Sequence, residues 1–248
     1  MAPKEPLPIE VQNLYKSFGR QKVLNGIDVK VKRGETLAVI GRSGTGKSVL
    51  LKLIIGLQSP DSGSICIRGQ RLEGLRRDAL NQLRRKIGFL FQQPALYDSM
   101  TIEENVMFPM ARHHLASTEE QRSRTHHLLT EVGIAKDGGK LPSEISGGMQ
   151  KRAGLARALA LDPEILLFDE PTAGLDPITA LEIGKLIVDL RKKRDVTSVV
   201  VTHDVHGARI FADRFVLMSD GKIVADGSFA DLKASQDSFV KEFLQEAN

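Results

Sequence analysis

The residues best equipped for chemistry lie in one short stretch, Gly41-Arg42-Ser43-Gly44-Thr45-Gly46-Lys47-Ser48, which fits G-x-x-x-x-G-K-[ST]. Glycines let a backbone curl round phosphate oxygens with its N–H groups pointing inward and no Cβ in the way. Lys47 supplies a mobile positive charge for β- and γ-phosphates, and Ser48 a hydroxyl ligand for Mg²⁺. A second set is Asp169-Glu170, two carboxylates that close the apolar run Ile165-Leu166-Leu167-Phe168. Buried in a parallel sheet, such a strand puts Asp169 at its C-terminal edge, beside the phosphate loop, where it can hold Mg²⁺ through water. Glu170, one residue on, can accept a proton from an attacking water. Thr202-His203-Asp204 follows another apolar run and reaches the same edge, from which His203 can meet a γ-phosphate. Ser146-Gly147-Gly148 opens a long helical pattern and forms a second anion-receptive helix N-terminus, a weak signal taken alone.

Each of these groups needs a strand or helix end to hold it. Leu37-Ala38-Val39-Ile40 predicts a buried strand before the phosphate loop, and Val49 to Ile55 a helix after it, ending near Gly56. That strand–loop–helix context separates the motif from an ordinary Gly-rich turn. Upstream, Ile9–Leu14 and Ile27–Val31 alternate and predict antiparallel strands, with Phe18-Gly19 at a turn between them. Taken alone, Phe18 reads as packing, although its ring also offers a flat face to a purine. Ser59–Gly63 is a turn before a strand carrying Cys66, which reads as an inert core residue. A polar helix over Asp78–Arg85 leads to the strand Ile87–Phe91, stopped by Gln92-Gln93-Pro94. In the segment Pro94 to Met100 that follows, Leu96 and Tyr97 read as exposed, a candidate docking edge.

Residues from about 95 to 160 are more polar and richer in helix, and they predict a helical lobe inserted in the core. It includes a helix from Ser117 or Thr118 to Val132, with Thr118 as the N-cap, and an amphipathic helix running through Ala160. The pairs His113-His114 and His126-His127 point about 100° apart on a helix, so neither chelates well and both read as solvated. Thr172–Pro177 turns into a helix ending near Arg194, followed by the strand Thr197–Val201. Phe215–Met218 and Lys222–Ala225 make a hairpin about Asp220-Gly221, and two short helices close the chain.

At 248 residues the chain is long enough for a large core or two lobes, and its net charge of +4 suits an anionic ligand without demanding nucleic acid. No basic run carries interleaved aromatics, and Arg76-Arg77 and Arg84-Arg85-Lys86 read as a solvated face. A single cysteine excludes an internal disulfide and fits a reducing cytosol. Met1–Pro6 has no apolar h-region, and no run approaches about 18 apolar residues, so a soluble protein is expected.

In this order the motifs resemble those of the nucleotide-binding subunit of an ABC transporter, over about residues 9 to 235. The matches are a Walker A loop at Gly41–Ser48, a Q-loop glutamine at Gln92 and a signature at Ser146-Gly147-Gly148. A Walker B strand ending at Asp169-Glu170, a D-loop at Gly174-Leu175-Asp176 and a switch histidine at His203 complete the set. The resemblance implies an α/β P-loop fold over residues 1–248, with a RecA-like core sheet, an N-terminal antiparallel β subdomain and the inserted helical subdomain at about 95–160. It implies ATP and Mg²⁺ as cofactors, with Glu170, His203 and Gln92 in catalysis and Ser48, Gln92 and Asp169 at the metal. Nucleotide contacts fall to Phe18, Ser43, Gly44, Thr45, Gly46, Lys47, Ser48 and Thr202, and to Ser146, Gly147, Gly148 and Asp176. Phe18 then sits at the adenine-stacking position rather than serving as packing alone.

Two copies are implied, head to tail, each ATP lying between the Walker A loop of one and the signature of the other. Integral membrane permease subunits are the other implied partners, with the chain on the cytoplasmic face of the membrane. Ile145 and Met149 depart from the commonest signature, at positions that need not touch phosphate. Ser-Gly-Gly-Met followed by Asp176-Pro177-Ile178-Thr179 is similar to the ATPases of Mla/MCE lipid-trafficking systems, which implies phospholipid transport and accessory lipid-transport subunits. Glycine betaine importers share Ser-Gly-Gly-Met but commonly add a C-terminal regulatory domain, for which a chain ending at Asn248 has no room. ABC ATPases acting on nucleic acid usually carry tandem cassettes, coiled-coil insertions or zinc cysteines. None is visible here, so no nucleic-acid partner is expected.

Overall fold

Strands that alternate in the sequence pair into a small antiparallel sheet, while strands that are apolar throughout form a parallel one buried on both faces. The computed structural model describes residues 5–246. In chain order the elements are β1 (Ile9–Phe18), β2 (Gln21–Val31), β3 (Thr36–Ile40), α1 (Lys47–Ile54), β4 (Ser62–Ile67) and β5 (Gln70–Arg71). Next come α2 (Arg77–Arg84), β6 (Ile87–Leu90), α3 (Ile102–Arg112), α4 (Thr118–Glu131), α5 (Gly147–Leu159) and β7 (Ile165–Asp169). The remainder is α6 (Pro177–Arg194), β8 (Thr197–Thr202), α7 (Val205–Phe211), β9 (Arg214–Ser219), β10 (Lys222–Gly227), α8 (Phe229–Ala234) and α9 (Ser238–Glu246). Among the described residues one sheet runs β2-β1-β4-β5 and the other β10-β9-β3-β8-β7-β6.

The larger sheet is parallel from β9 to β6, with β10 antiparallel at its edge. Its register sets Ile40 beside Thr202, and Asp169 beside Val201. Whatever follows β3, β7 and β8 therefore emerges at one edge, the usual ligand edge of an open parallel sheet. The period of two divides each strand between two cores. Leu37, Val39, Leu167 and Val201 pack with α1 and the small sheet, whereas Ala38, Ile40, Phe168 and Val200 pack with the other helices. Phe168 is among the largest fully buried side chains, and emptying such a site typically costs about 3–5 kcal/mol.

Several expectations shift. Ser117, not Thr118, caps α4, because Ser117 and Glu120 bond reciprocally across the first turn. The same device, Thr101 with Glu104, starts α3, a helix the apolar spacing left unassigned. β6 ends at Leu90, one residue short of Phe91. Cys66 is half-buried on β4 opposite Glu10, not a core residue, and desolvation pushes its thiol pKa up. Arg84 is not solvated: its guanidinium donates to the Ile55 and Gly56 carbonyls at 3.1 and 2.6 Å, closing the C-terminus of α1. Leu96 is not exposed but packs against the main core. The hairpin turn forms as expected, with Asp220 and Gly221 both at positive φ. The four clustered histidines stand on or beside α3 and α4. Among the described residues, none joins a group of three or more potential metal ligands.

Candidate active site

The phosphate loop joins β3 to α1 and is bent by left-handed backbone at Gly44 (φ 81°) and Gly46 (φ 97°). At Gly46 a Cβ would also fall 2.8 Å from the Val23 carbonyl oxygen, so only glycine fits there. Gly46 caps α1, whose first N–H groups open onto the loop. Lys47 is buried and donates to the Gly41 and Arg42 carbonyls at 2.8 and 2.9 Å, drawing the loop round its ammonium. Desolvation lowers its pKa, while Glu170 and Asp169 act in the opposite direction. At the mouth of the loop, Arg42 pairs with Glu242 and Glu246 of α9 at 3.0 and 2.8 Å.

Asp169 and Glu170 leave the end of β7 and diverge. Asp169 accepts from the Ser48 hydroxyl at 2.7 Å, which brings the residue after Lys47 onto the neighbouring strand. Burial holds the Asp169 carboxyl above its ordinary pKa, with the Ser48 hydrogen bond opposing. Glu170 adopts left-handed backbone (φ 49°), and its N–H donates to the Val201 carbonyl at 2.8 Å. Its carboxylate accepts from the Thr202 hydroxyl at 2.9 Å and the His203 N–H at 3.1 Å, and it meets His203 Nδ1 at 2.9 Å. Since a carboxylate only accepts, Nδ1 carries the proton and Nε2 is left for another partner. Glu170 and His203 both line an open cleft of about 550 Å³.

The chain thus brings Lys47, Ser48, Asp169, Glu170, Thr202 and His203 into one linked cluster. Ser43, Gly44, Thr45 and Gly46 lie in the loop that leads into Lys47, and the remaining expected site residues stand apart from the cluster. Phe18 is 46% exposed at the end of β1, with the Lys16 ammonium 5.4 Å from its ring centroid. Gln92 is exposed, and its backbone carbonyl accepts from Lys151, which also donates to the Glu170 carbonyl. Ser146 caps α5, accepting from the Met149 N–H at 3.2 Å, with Gly147 and Gly148 in the first turn. Asp176 caps α6, accepting from the Thr179 hydroxyl and from the Thr179 and Ile178 N–H groups at 3.0 and 3.1 Å, and the hydroxyl bond first, then the N–H bonds, lower its pKa.

A family model described as "ABC transporter" matches residues 24–173. The chain belongs to the ABC transporter family. It is 39% identical over 237 residues to the intermembrane phospholipid transport system ATP-binding protein MlaF of Haemophilus influenzae, covering 96% of this chain and 90% of that one. It is 41% identical over 236 residues to the probable ribonucleotide transport ATP-binding protein mkl of Mycobacterium leprae, covering 95% of this chain but only 68% of that one. The ATP-binding cassette MJ0796, solved as a dimer in a post-hydrolysis state bound to ADP and Pi, is similar in structure. Its TM-score is 0.82 at 34% identity, covering 89% of this chain and 98% of that one.

The chain is therefore an ATP-binding and ATP-hydrolysing cassette of a transporter, with the expected P-loop fold. Among the described residues no helix of the cassette is long and apolar enough to cross a membrane. Sequence reasoning missed two cations on α5. Lys151 is buried and donates to the Gln92 carbonyl, and to the Glu170 carbonyl at 3.2 Å. Arg157 donates to the Ala95 carbonyl at 2.8 Å and to the Pro94 carbonyl. A signal existed for Lys151: it precedes Leu155 by four residues, and so falls on the apolar stripe of its helix.

Proposed function

We propose that this cassette powers phospholipid transport across or between envelope membranes, as one of two copies on the cytoplasmic face of a membrane permease. The observation that carries the mechanism is the linked cluster at the sheet edge, which gathers a cation, a hydroxyl and two buried carboxylates along that edge. In this reading the N–H groups of Ser43 to Ser48 and the Lys47 ammonium hold the phosphates, and Phe18 stacks on adenine. Glu170 takes the proton of the attacking water while Thr202 and His203 fix its carboxylate, and His203 Nε2 faces the departing phosphate.

The donor set also suits Mg²⁺, a hard cation that favours oxygen. The Ser48 hydroxyl and Asp169 carboxylate already lie within hydrogen-bond distance, and the Gln92 amide completes the proposed set. When bound, the ion neutralises charge on the phosphates. Ser146, Gly147, Gly148 and Asp176 serve the nucleotide of the second copy. Residues 1–248 act as a single cassette, with about 95–160 as its helical lobe.

Force must leave the cassette by surface contact. A groove of about 410 Å³ beside the Gln92 segment is lined by Phe89, Phe91, Tyr97, Phe108 and Arg157, with Tyr97 45% exposed. Its aromatic walls and position favour it as the permease's seat. The lipid assignment is supported by the near end-to-end match with the phospholipid-transport relative, whereas the nucleotide-transport relative extends well beyond the matched region. Purification of the intact complex tests it. Bound phospholipid, and release of the cassette by Tyr97→Glu with Mg·ATP binding retained, are expected. A complex without lipid that takes up a small solute in an ATP-driven manner would replace the lipid reading and leave the ATPase intact.

A further inference from the structure

The buried ammonium of Lys151 sits where three parts of the cassette meet. It belongs to α5, the helix capped by Ser146 and the centre of the helical lobe. Its Nζ donates to the carbonyl of Gln92, just beyond β6, and at 3.2 Å to that of Glu170, just beyond β7. Lys151 is only 4% exposed; burial lowers its pKa, and the carboxylates of Asp169 and Glu170 act in the opposite direction. Lys47, Lys151, Asp169 and Glu170 are thus all buried at this edge, where each lysine has opposite-sign neighbours instead of water.

Two details give this bond a consequence. Glu170 holds left-handed backbone, which a non-glycine residue keeps only when its surroundings over-determine it. Lys151 bonds its carbonyl, and the Val201 carbonyl takes its N–H. Further along the same face of α5, a Cβ at Gly154 would lie 3.1 Å from Pro94 Cβ and 2.8 Å from Leu90 Cδ1. Arg157 then takes the Pro94 and Ala95 carbonyls. The helix is pressed against residues 90–95 along its length, so a tilt of α5 acts on Gln92 and Glu170 together.

We propose that Lys151 is a positioning residue, which fixes the backbone of Glu170 from the helix that carries Ser146 and so couples the seating of the helical lobe to hydrolysis. This rests on Glu170 being the base. It assigns Lys151 no contact with nucleotide. Loss of the ammonium leaves ATP bound but Glu170 misplaced.

The test measures ATP hydrolysis and nucleotide affinity in the full chain for Lys151→Met, Lys151→Arg, Glu170→Gln and the Lys151→Met/Glu170→Gln double variant. Lys151→Met is expected to lower kcat about tenfold with KM within about twofold, and Lys151→Arg to stay within about threefold of the parent kcat. In the Glu170→Gln background, Lys151→Met should change the residual rate by less than about twofold, because the group it positions is already gone. An unchanged kcat in Lys151→Met, a rise in KM in its place, or a full multiplication of effects in the double variant would overturn the proposal. If Lys151→Met does not fold, Lys151→Gln replaces it, and Lys151→Arg must then exceed it in kcat by about fivefold. Equal rates for those two overturn the proposal. Normal turnover by Glu170→Gln itself would instead remove the base assignment, whatever Lys151 does.

Discussion

The two halves of the proposed nucleotide site are finished to different degrees within one chain. At the sheet edge, Lys47, Ser48, Asp169, Glu170, Thr202 and His203 bond to one another or to the adjoining backbone, and the first five are buried or partly buried. By contrast Ser146 and Asp176 do no more than cap their own helices, and Phe18 stands half-exposed at a strand end. Burial explains the difference. Charges removed from water must find partners inside the chain, whereas exposed caps and rings keep water as a partner and can exchange it for a ligand or a second surface. The buried half is pre-organised chemistry, and the exposed half has the character of a binding face.

Substitutions in the two halves should therefore fail differently. The largest effect is expected at Glu170: Glu170→Gln should slow hydrolysis about a thousandfold while ATP still binds, as single-turnover and equilibrium binding measurements would show. Near-normal turnover would take Glu170 out of the chemistry. Next, ATP should drive self-association of the Glu170→Gln protein, and Ser146→Arg should weaken that association about a hundredfold through bulk and charge at a helix N-terminus. Sedimentation in saturating ATP, repeated in the complex, decides this. A dimer unaffected by Ser146→Arg would mean that the exposed half is not a shared face. Lys47→Ala, by contrast, should weaken ATP binding by about tenfold or more in a single chain, since a charge-assisted contact is lost without any partner being involved.

A smaller, pH-dependent effect should also separate the halves. Burial raises the Asp169 pKa in the folded protein, so its protonated form persists to higher pH than in the unfolded chain. The stability contributed by that proton is present below the unfolded value and fades as pH rises through the folded one. The ionised form that suits a cation is accordingly lost early on acidification. Affinity for Mg·ATP should begin to fall at a pH above the ordinary aspartate value of about 3.9, and ATP affinity without Mg²⁺ should lack that limb. Calorimetry across pH checks this, and coincident profiles would remove Asp169 from the cation site. The smallest effect is expected away from both halves. Arg84→Ala should cost ~1–2 kcal/mol of stability through the freed carbonyls at the end of α1, with hydrolysis unchanged.

Local pattern determined a great deal here. Gly41–Ser48 between an apolar strand and a helix, Asp169-Glu170 closing another apolar strand, and Asp220-Gly221 between two alternating runs each specify their structure within a few residues. Glycine torsions, strand burial and turn geometry are properties of neighbours in sequence. The resemblance to ABC cassettes then follows from the order of the motifs. Only the tertiary structure decided which polar side chains are buried and whom they meet. Arg84 read as solvated, yet it closes α1 from a helix 28 residues away. Cys66 read as core, yet it is only half-buried, and Leu96 read as exposed, yet it packs inward. Lys151 carried only the faint mark of a charge on an apolar stripe, and its partners at Gln92 and Glu170 lie 59 and 19 residues away in the chain. An ammonium bonds to carbonyls that any residue can supply, so no spacing or residue type announces the pairing. It exists only once β6, β7 and α5 have been brought together.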